Sequence, residues 1–377
     1  MSEDLPTIDV RIDDAVLGHP GGPVRLSVSG RSLPLTVLAE AATATGGRAR
    51  AEFGRLVGVV DVEAWTTALR DRGEGELATR LTRASSAAVA AWHAGAPDLG
   101  LADGRRLPTG SRTVVQAVLN VTPDSFSDGG VHLTPDGDVA PAIAAGRAMV
   151  AAGADLVDVG GESTRPGSEP VSADEELART VPVVRALAED GVVVSIDTTK
   201  AVVARAAVEA GAAIVNDVSA GALDPELYPT VAELGVPYVL MHMQGTPRTM
   251  QQDPTYDDVV AEVFDHFVSE LARLGAAGVP PERIVIDPGI GFGKTVEHNL
   301  TLLRQLRSFT SLGRPVLVGA SRKTFIGKLS GGLDASERLE GSLAVAALAA
   351  AAGARILRVH DVRETRRALD VADAIVG

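Results

Sequence analysis

Twelve polar positions between residues 120 and 360 could do chemistry together. They are Asn120, Asp158 with Glu162, Asp197, Asn216 with Asp217, His242, Asp287, Arg322 with Lys323, Arg358 and His360. A carboxylate accepts two parallel hydrogen bonds, so acids beside an asparagine suit a flat heterocycle that offers adjacent N–H groups. Arginine and histidine suit an anion such as a phosphate. The side-chain oxygen of Asn120 suits Mg²⁺, which keeps few protein ligands and binds mainly through phosphates. Other chemistries lack their parts. The chain has no cysteine, which removes thiolate nucleophiles, disulfides and cysteine zinc sites. Nor does it have a His-x-x-x-His cluster for a tightly held transition metal, or a Gly-x-Ser-x-Gly elbow for acyl transfer. The segment Gly289-Ile-Gly-Phe-Gly-Lys-Thr295 resembles a phosphate loop but has too few residues before its Gly-Lys pair. Its glycines instead suit close passage of the backbone beside a ligand.

These side chains end a series of short apolar runs. The runs are Thr113 to Asn120, Asp155 to Gly160, Val192 to Asp197, Ala213 to Asp217, Pro237 to His242, Arg283 to Asp287, Pro315 to Gly319 and Arg355 to His360. Near-continuous apolarity is what a strand buried on both faces requires. Helical stretches lie between them. Ser172-Ala-Asp-Glu175 reads as a capping box, and Asp361 as the cap of a final helix carrying Leu369, Val371 and Ile375. Eight such units within about 265 residues match a (β/α)₈ TIM barrel. A doubly wound sheet is the alternative, but it gathers its ligand groups at one crevice. Here nearly every run ends in a polar residue, as the mouth of a barrel demands.

Residues 1–94 have a different texture and read as a small α+β domain. Val24 to Ser29 alternates like a half-exposed strand, helical patterns follow, and His19 and His93 stand isolated as surface histidines. Residues 95–111 are rich in glycine and proline and read as a linker, leaving 112–377 for the barrel. The formal charge is −14, with 35 Lys+Arg against 49 Asp+Glu. That balance argues against nucleic-acid partners and anionic membrane surfaces. Aromatic residues make up only 3%, too few for a base-stacking platform. The longest apolar run, Leu343 to Ala352, is shorter than the ~18 residues of a membrane span. The acidic start lacks the features of a signal peptide, so the expected location is the cytoplasm.

The motifs resemble those of dihydropteroate synthase. Asn120-Val-Thr-Pro-Asp-Ser-Phe-Ser-Asp-Gly-Gly130 matches the first signature of that family and Gly161-Glu-Ser-Thr-Arg-Pro-Gly167 the second. Ser195-Ile-Asp-Thr-Thr-Lys200, Asn216-Asp-Val-Ser219 and Met241-His-Met-Gln-Gly245 follow in order. Asp287 to Lys294, Ser321-Arg-Lys323 and Arg358-Val-His360 complete the series. One departure is Gln116-Ala117, where the family commonly has Met-Gly; it lies inside the first strand and reads as packing.

The resemblance implies condensation of 6-hydroxymethyl-7,8-dihydropterin pyrophosphate with p-aminobenzoate, giving dihydropteroate and pyrophosphate for folate biosynthesis. It implies a pterin pocket of Asp197, Asn216, Met241, Asp287 and Lys323. Asn120, with Mg²⁺, and Arg358 and His360 would hold the pyrophosphate. Thr164, Arg165 and Thr324 would lie near p-aminobenzoate, and Asp128 would sit on a closing loop. Asp128, Arg165, Lys323, Arg358 and His360 are the implied catalytic set. A homodimer and sensitivity to sulfonamides, which mimic p-aminobenzoate, are implied too. A pterin-binding methyltransferase barrel would share the pterin acids but would not need the Thr-Arg-Pro-Gly and Ser-Arg-Lys segments. A non-catalytic paralogue would be expected to have lost groups from the mouth.

Overall fold

The computed structural model describes residues 8–15, 24–30, 33–52, 55–122, 138–163 and 170–376. The chain divides into two compact units, one of residues 1–95 with 307–313 and the other of residues 96–306 with 314–377.

The first unit is the expected α+β element. Strands β1 (Asp9–Ala15), β2 (Val24–Ser29), β3 (Arg48–Glu52) and β4 (Arg55–Val60) form an antiparallel sheet in the order β1-β2-β4-β3. Helices α1 (Leu35–Ala44), α2 (Val62–Asp71) and α3 (Gly75–Ala94) complete it. Alternation along the strands sends Ile12, Leu26 and Leu56 into one core with Leu38, Trp65, Leu69 and Leu81. The buried indole of Trp65 keeps its hydrogen bond by donating to the Leu38 carbonyl at 2.9 Å. His93 is exposed, as expected; His19 lies outside the described residues.

The second unit corrects the reading of residues 95–111 as a linker. That stretch carries a hairpin of β5 (Leu99–Gly100) and β6 (Arg106–Leu107). Its Leu99, Leu101 and Leu107 are buried among Val114, Leu156, Ile214, Val239, Val285, Leu317 and Ile356. These partners lie at or near the amino ends of the barrel strands, so the hairpin plugs the floor of the barrel. The glycines and prolines make its turns, while the leucines carry its packing.

Eight parallel strands close the barrel: β7 (Val114–Asn120), β8 (Leu156–Gly160), β9 (Val194–Asp197), β10 (Ile214–Asp217), β11 (Tyr238–Met241), β12 (Ile284–Asp287), β13 (Val316–Val318) and β14 (Ala354–Val359). The strands β8 to β13 are buried along their whole length, the reason their sequences read as unbroken apolar runs. Gln116 and Ala117 are buried within β7. Helices α4 (Ala140–Ala151), α5 (Ala173–Glu189), α6 (Ala201–Glu209), α7 (Leu227–Leu234), α8 (Val259–Ala277), α9 (Val296–Arg304), α10 (Thr324–Leu329), α11 (Leu339–Ala351) and α12 (Val362–Val376) alternate with the strands. Ser172 caps α5 by accepting from the Glu175 N–H, as its spacing predicts. In α12 Leu369 is buried, whereas Val371 and Ile375 face outward. The Asp361 carboxylate before α12 is engaged by Arg322. No helix among the described residues is long and apolar enough to cross a membrane.

Candidate active site

The carboxyl ends of the strands open into a cavity of about 1010 Å³, lined in part by Asn120, Asp197, Lys294, Lys323, Arg358 and His360. Register explains the convergence: Asn120, Asp197, Met241 and Asp287 are the last residues of their strands, and Asn216 and Arg358 the last but one.

An ion-pair lattice forms the floor. Arg358 Nε donates to Asp158 Oδ2 and Arg358 Nη2 to Asp197 Oδ2, both at 2.6 Å. Asn216 Nδ2 donates to the same Asp158 oxygen at 3.1 Å. Burial pushes Asp197 up to about 7, with Arg358 opposing and Asp158, Glu176 and Asp217 reinforcing. Asp287, one strand pair away, accepts from the Gly289 N–H at 2.7 Å. Burial raises it to about 6, against the pull of that N–H and of Lys323, Lys294 and Arg358.

The cationic rim is fixed by over-determined turns. Arg322 sits at φ 58, a left-handed conformation unusual for a side-chain-bearing residue. Its N–H donates to Ser342 Oγ, its carbonyl accepts from Arg338, and its guanidinium grips Asp361. This turn brings Lys323 into the cavity, its Nζ 4.0 Å from the centroid of Phe292. His360 is held by Ser321 Oγ, 3.1 Å from its Nδ1 and 3.2 Å from its backbone nitrogen. Thr324 lines the cavity beside Lys323. Met241 packs with Val218, Met250 and Phe292 into a small apolar cluster.

Three candidates from the sequence are used elsewhere. Asp217 holds its own loop, accepting from the Ser219 N–H and hydroxyl, the Gly221 N–H and the Tyr238 hydroxyl. Glu162 is paired with Lys200, which also binds the buried Glu176. His242 is buried against Lys294. Asp128, Thr164 and Arg165 lie outside the described residues. Conversely, Asp158 and Lys294 matter more than their motifs suggested. In the sequence Asp158 reads as one polar strand residue among many, and the loop of Lys294 as an incomplete nucleotide motif.

Among the described residues no group of three or more His, Cys, Asp or Glu side chains could hold a metal alone. The missing Cβ of Gly160, however, leaves a gap bordered by Asn120 Oδ1 and Asp197 Oδ2. One amide oxygen at such a gap fits a hard cation that takes its remaining ligands from phosphate and water.

A parallel barrel whose mouth pairs acids and an amide with a cationic rim defines an enzyme that holds a nitrogen heterocycle beside an anion. The chain belongs to the pterin binding enzyme family, whose model matches residues 116–360. It is 49% identical over 264 residues to the dihydropteroate synthase of Escherichia coli K12, covering 70% of this chain and 92% of that protein. Among solved structures, the Yersinia pestis dihydropteroate synthase in complex with a sulfonamide drug superposes with a TM-score of 0.70 at 44% identity. That match covers 74% of this chain and 99% of the other. The Xanthomonas albilineans enzyme in complex with 7,8-dihydropteroate gives 0.65 at 44% identity, covering 74% and 98%.

Proposed function

We infer that this chain catalyses the dihydropteroate synthase reaction, joining 6-hydroxymethyl-7,8-dihydropterin pyrophosphate to p-aminobenzoate with release of pyrophosphate. The observation that carries the reading is Arg358. It binds the acids of the heterocycle floor and lies beside the His360 rim, so ring and anion sites share one guanidinium.

In the mechanism we propose, the ring lies between Asp197, Asn216 and Asp287, whose oxygens accept its N–H groups, with Lys323 at its edge. The methylene C–O bond breaks and its electron pair leaves with pyrophosphate. The positive charge left on the methylene spreads into the ring, where the carboxylates stabilise it. Arg358 and His360 bind the departing anion, the guanidinium oriented by Asp158 and Asp197 and the imidazole by Ser321. The p-aminobenzoate amine then forms the C–N bond and loses one proton to solvent. Asn120 would be the protein ligand of a Mg²⁺ that neutralises pyrophosphate charge when bound. Thr164, Arg165 and Thr324 are assigned to the p-aminobenzoate side, and Asp128 to holding the reacting state, from which water must be kept.

Leu348 on α11 and Val371 and Ile375 on α12 are 71%, 60% and 79% exposed, and these apolar side chains support a homodimer. The function is tested by incubating the purified full chain with both substrates and Mg²⁺. Equal amounts of dihydropteroate and pyrophosphate, formed only when both substrates are present, are expected. No dihydropteroate from folded protein would refute the reading.

A further inference from the structure

We propose that Lys294 is a positioning residue of the pterin pocket, clasping the ends of β11 and β12 so that Asp287 is held in place and kept ionised. The proposal rests on the function inferred above, and the mechanism given there makes no use of this side chain.

Lys294 lines the cavity yet is only 3% exposed. Its Nζ has three acceptors: His242 Nδ1 at 3.0 Å, the His242 carbonyl at 3.3 Å and the Phe292 carbonyl at 2.9 Å. An ammonium has three N–H donors and no lone pair, so the cage fits the charged form, whereas a neutral amine would turn a lone pair toward an acceptor. His242 is a dependable acceptor. Burial, with Lys294 and His266 nearby, lowers it to about 2, so the ring stays neutral and can keep a lone pair on Nδ1. Burial also lowers Lys294 to about 7, and Asp287 opposes that shift.

The clasp reaches Asp287 by two routes. The first is mechanical. His242 follows β11 and donates its backbone N–H to the Asp287 carbonyl at 3.0 Å. Gly289, whose N–H holds the Asp287 carboxylate, has φ +68, and a Cβ there would stand 1.9 Å from the His242 carbonyl oxygen and 3.3 Å from Lys294 Nζ. Only glycine lets the loop pass this close, and Lys294 fills the space beside it. The second route is electrostatic. The cations acting on Asp287 are Lys294 from its own loop, Lys323 after β13 and Arg358 on β14. His242 after β11, His266 on α8 and His298 on α9 are each lowered by burial, which disfavours their charged forms. Removing the Lys294 charge therefore raises Asp287 further.

The test measures kcat and KM for each substrate from pH 5.5 to 8.5, with thermal melts to establish folding. Lys294→Met should raise KM for the pterin pyrophosphate about tenfold at pH 6.5 and leave KM for p-aminobenzoate within about twofold. It should also move the acid limb of kcat/KM upward by about one pH unit. His242→Leu, which removes one acceptor, should move that limb in the same direction, and His242→Asn, which restores an acceptor, should return it. If Lys294→Met does not fold, the His242 pair decides the matter. An acid limb that stays fixed in folded variants, or equal losses for both substrates, would overturn the proposal. Wild-type protein without synthase activity would instead refute the function on which it rests.

Discussion

Replacing Asp287 by asparagine separates binding from folding. The carboxylate is buried and raised from 3.8 to about 6, so the folded ligand-free protein holds a proton there more tightly than the unfolded chain. The sign follows from linkage: the penalty for ionisation is absent below about pH 4 and fully present above about pH 6. A shift of about two units corresponds to roughly 2–3 kcal/mol. Asparagine keeps an oxygen for the Gly289 N–H and never ionises, so Asp287→Asn should be more stable than wild type at pH 8 by up to that amount. At pH 4.5 the difference should shrink to about 1 kcal/mol. Ligand binding should go the other way. The new NH₂ faces the ring's own N–H donors, and each unmet donor costs about 1–3 kcal/mol, roughly ten- to hundredfold in affinity. Denaturant melts at the two pH values, beside calorimetric titration with the pterin pyrophosphate, measure both effects. A variant that binds as wild type, or that loses stability at pH 8, would refute the reasoning.

Chelation with EDTA should abolish turnover and added Mg²⁺ restore it, and Asn120→Ala should raise the Mg²⁺ needed for half-maximal rate several-fold; a metal-independent rate would contradict the assignment. Sulfamethoxazole should inhibit competitively against p-aminobenzoate, raising its apparent KM at unchanged kcat in initial-rate assays. Residues 96–377 should fold and retain the reaction in the product assay. Residues 112–377 should melt far lower or precipitate, because they lack Leu99, Leu101 and Leu107, each worth about 1.5–3 kcal/mol of burial.

The barrel was legible because strands buried on both faces cannot alternate, and eight of them ending in polar residues have few other uses. What stayed hidden depended on direction and depth. Asn216 and Asp217 are neighbours on β10 and point to opposite faces. The sequence does not say which enters the barrel, and Asp217 turns out to tie its own loop. Residues 95–111 read as a linker because turn residues outnumber the three leucines that plug the floor. Lys294 is visible as a motif residue, but two of its three acceptors belong to His242, just after β11 and some fifty residues earlier in the chain. The Asp158 role is also tertiary: it joins Asn216 on β10 to Arg358 on β14.

The central claim, that one barrel mouth holds the pterin ring on its acids and the leaving anion on its cations, is tested most directly by a crystal structure with the pterin pyrophosphate bound. The account predicts ring nitrogens within hydrogen-bond distance of Asp197, Asn216 and Asp287, and phosphate oxygens on Arg358 and His360. A ring bound elsewhere in the cavity, or a pyrophosphate held away from Arg358, would contradict it.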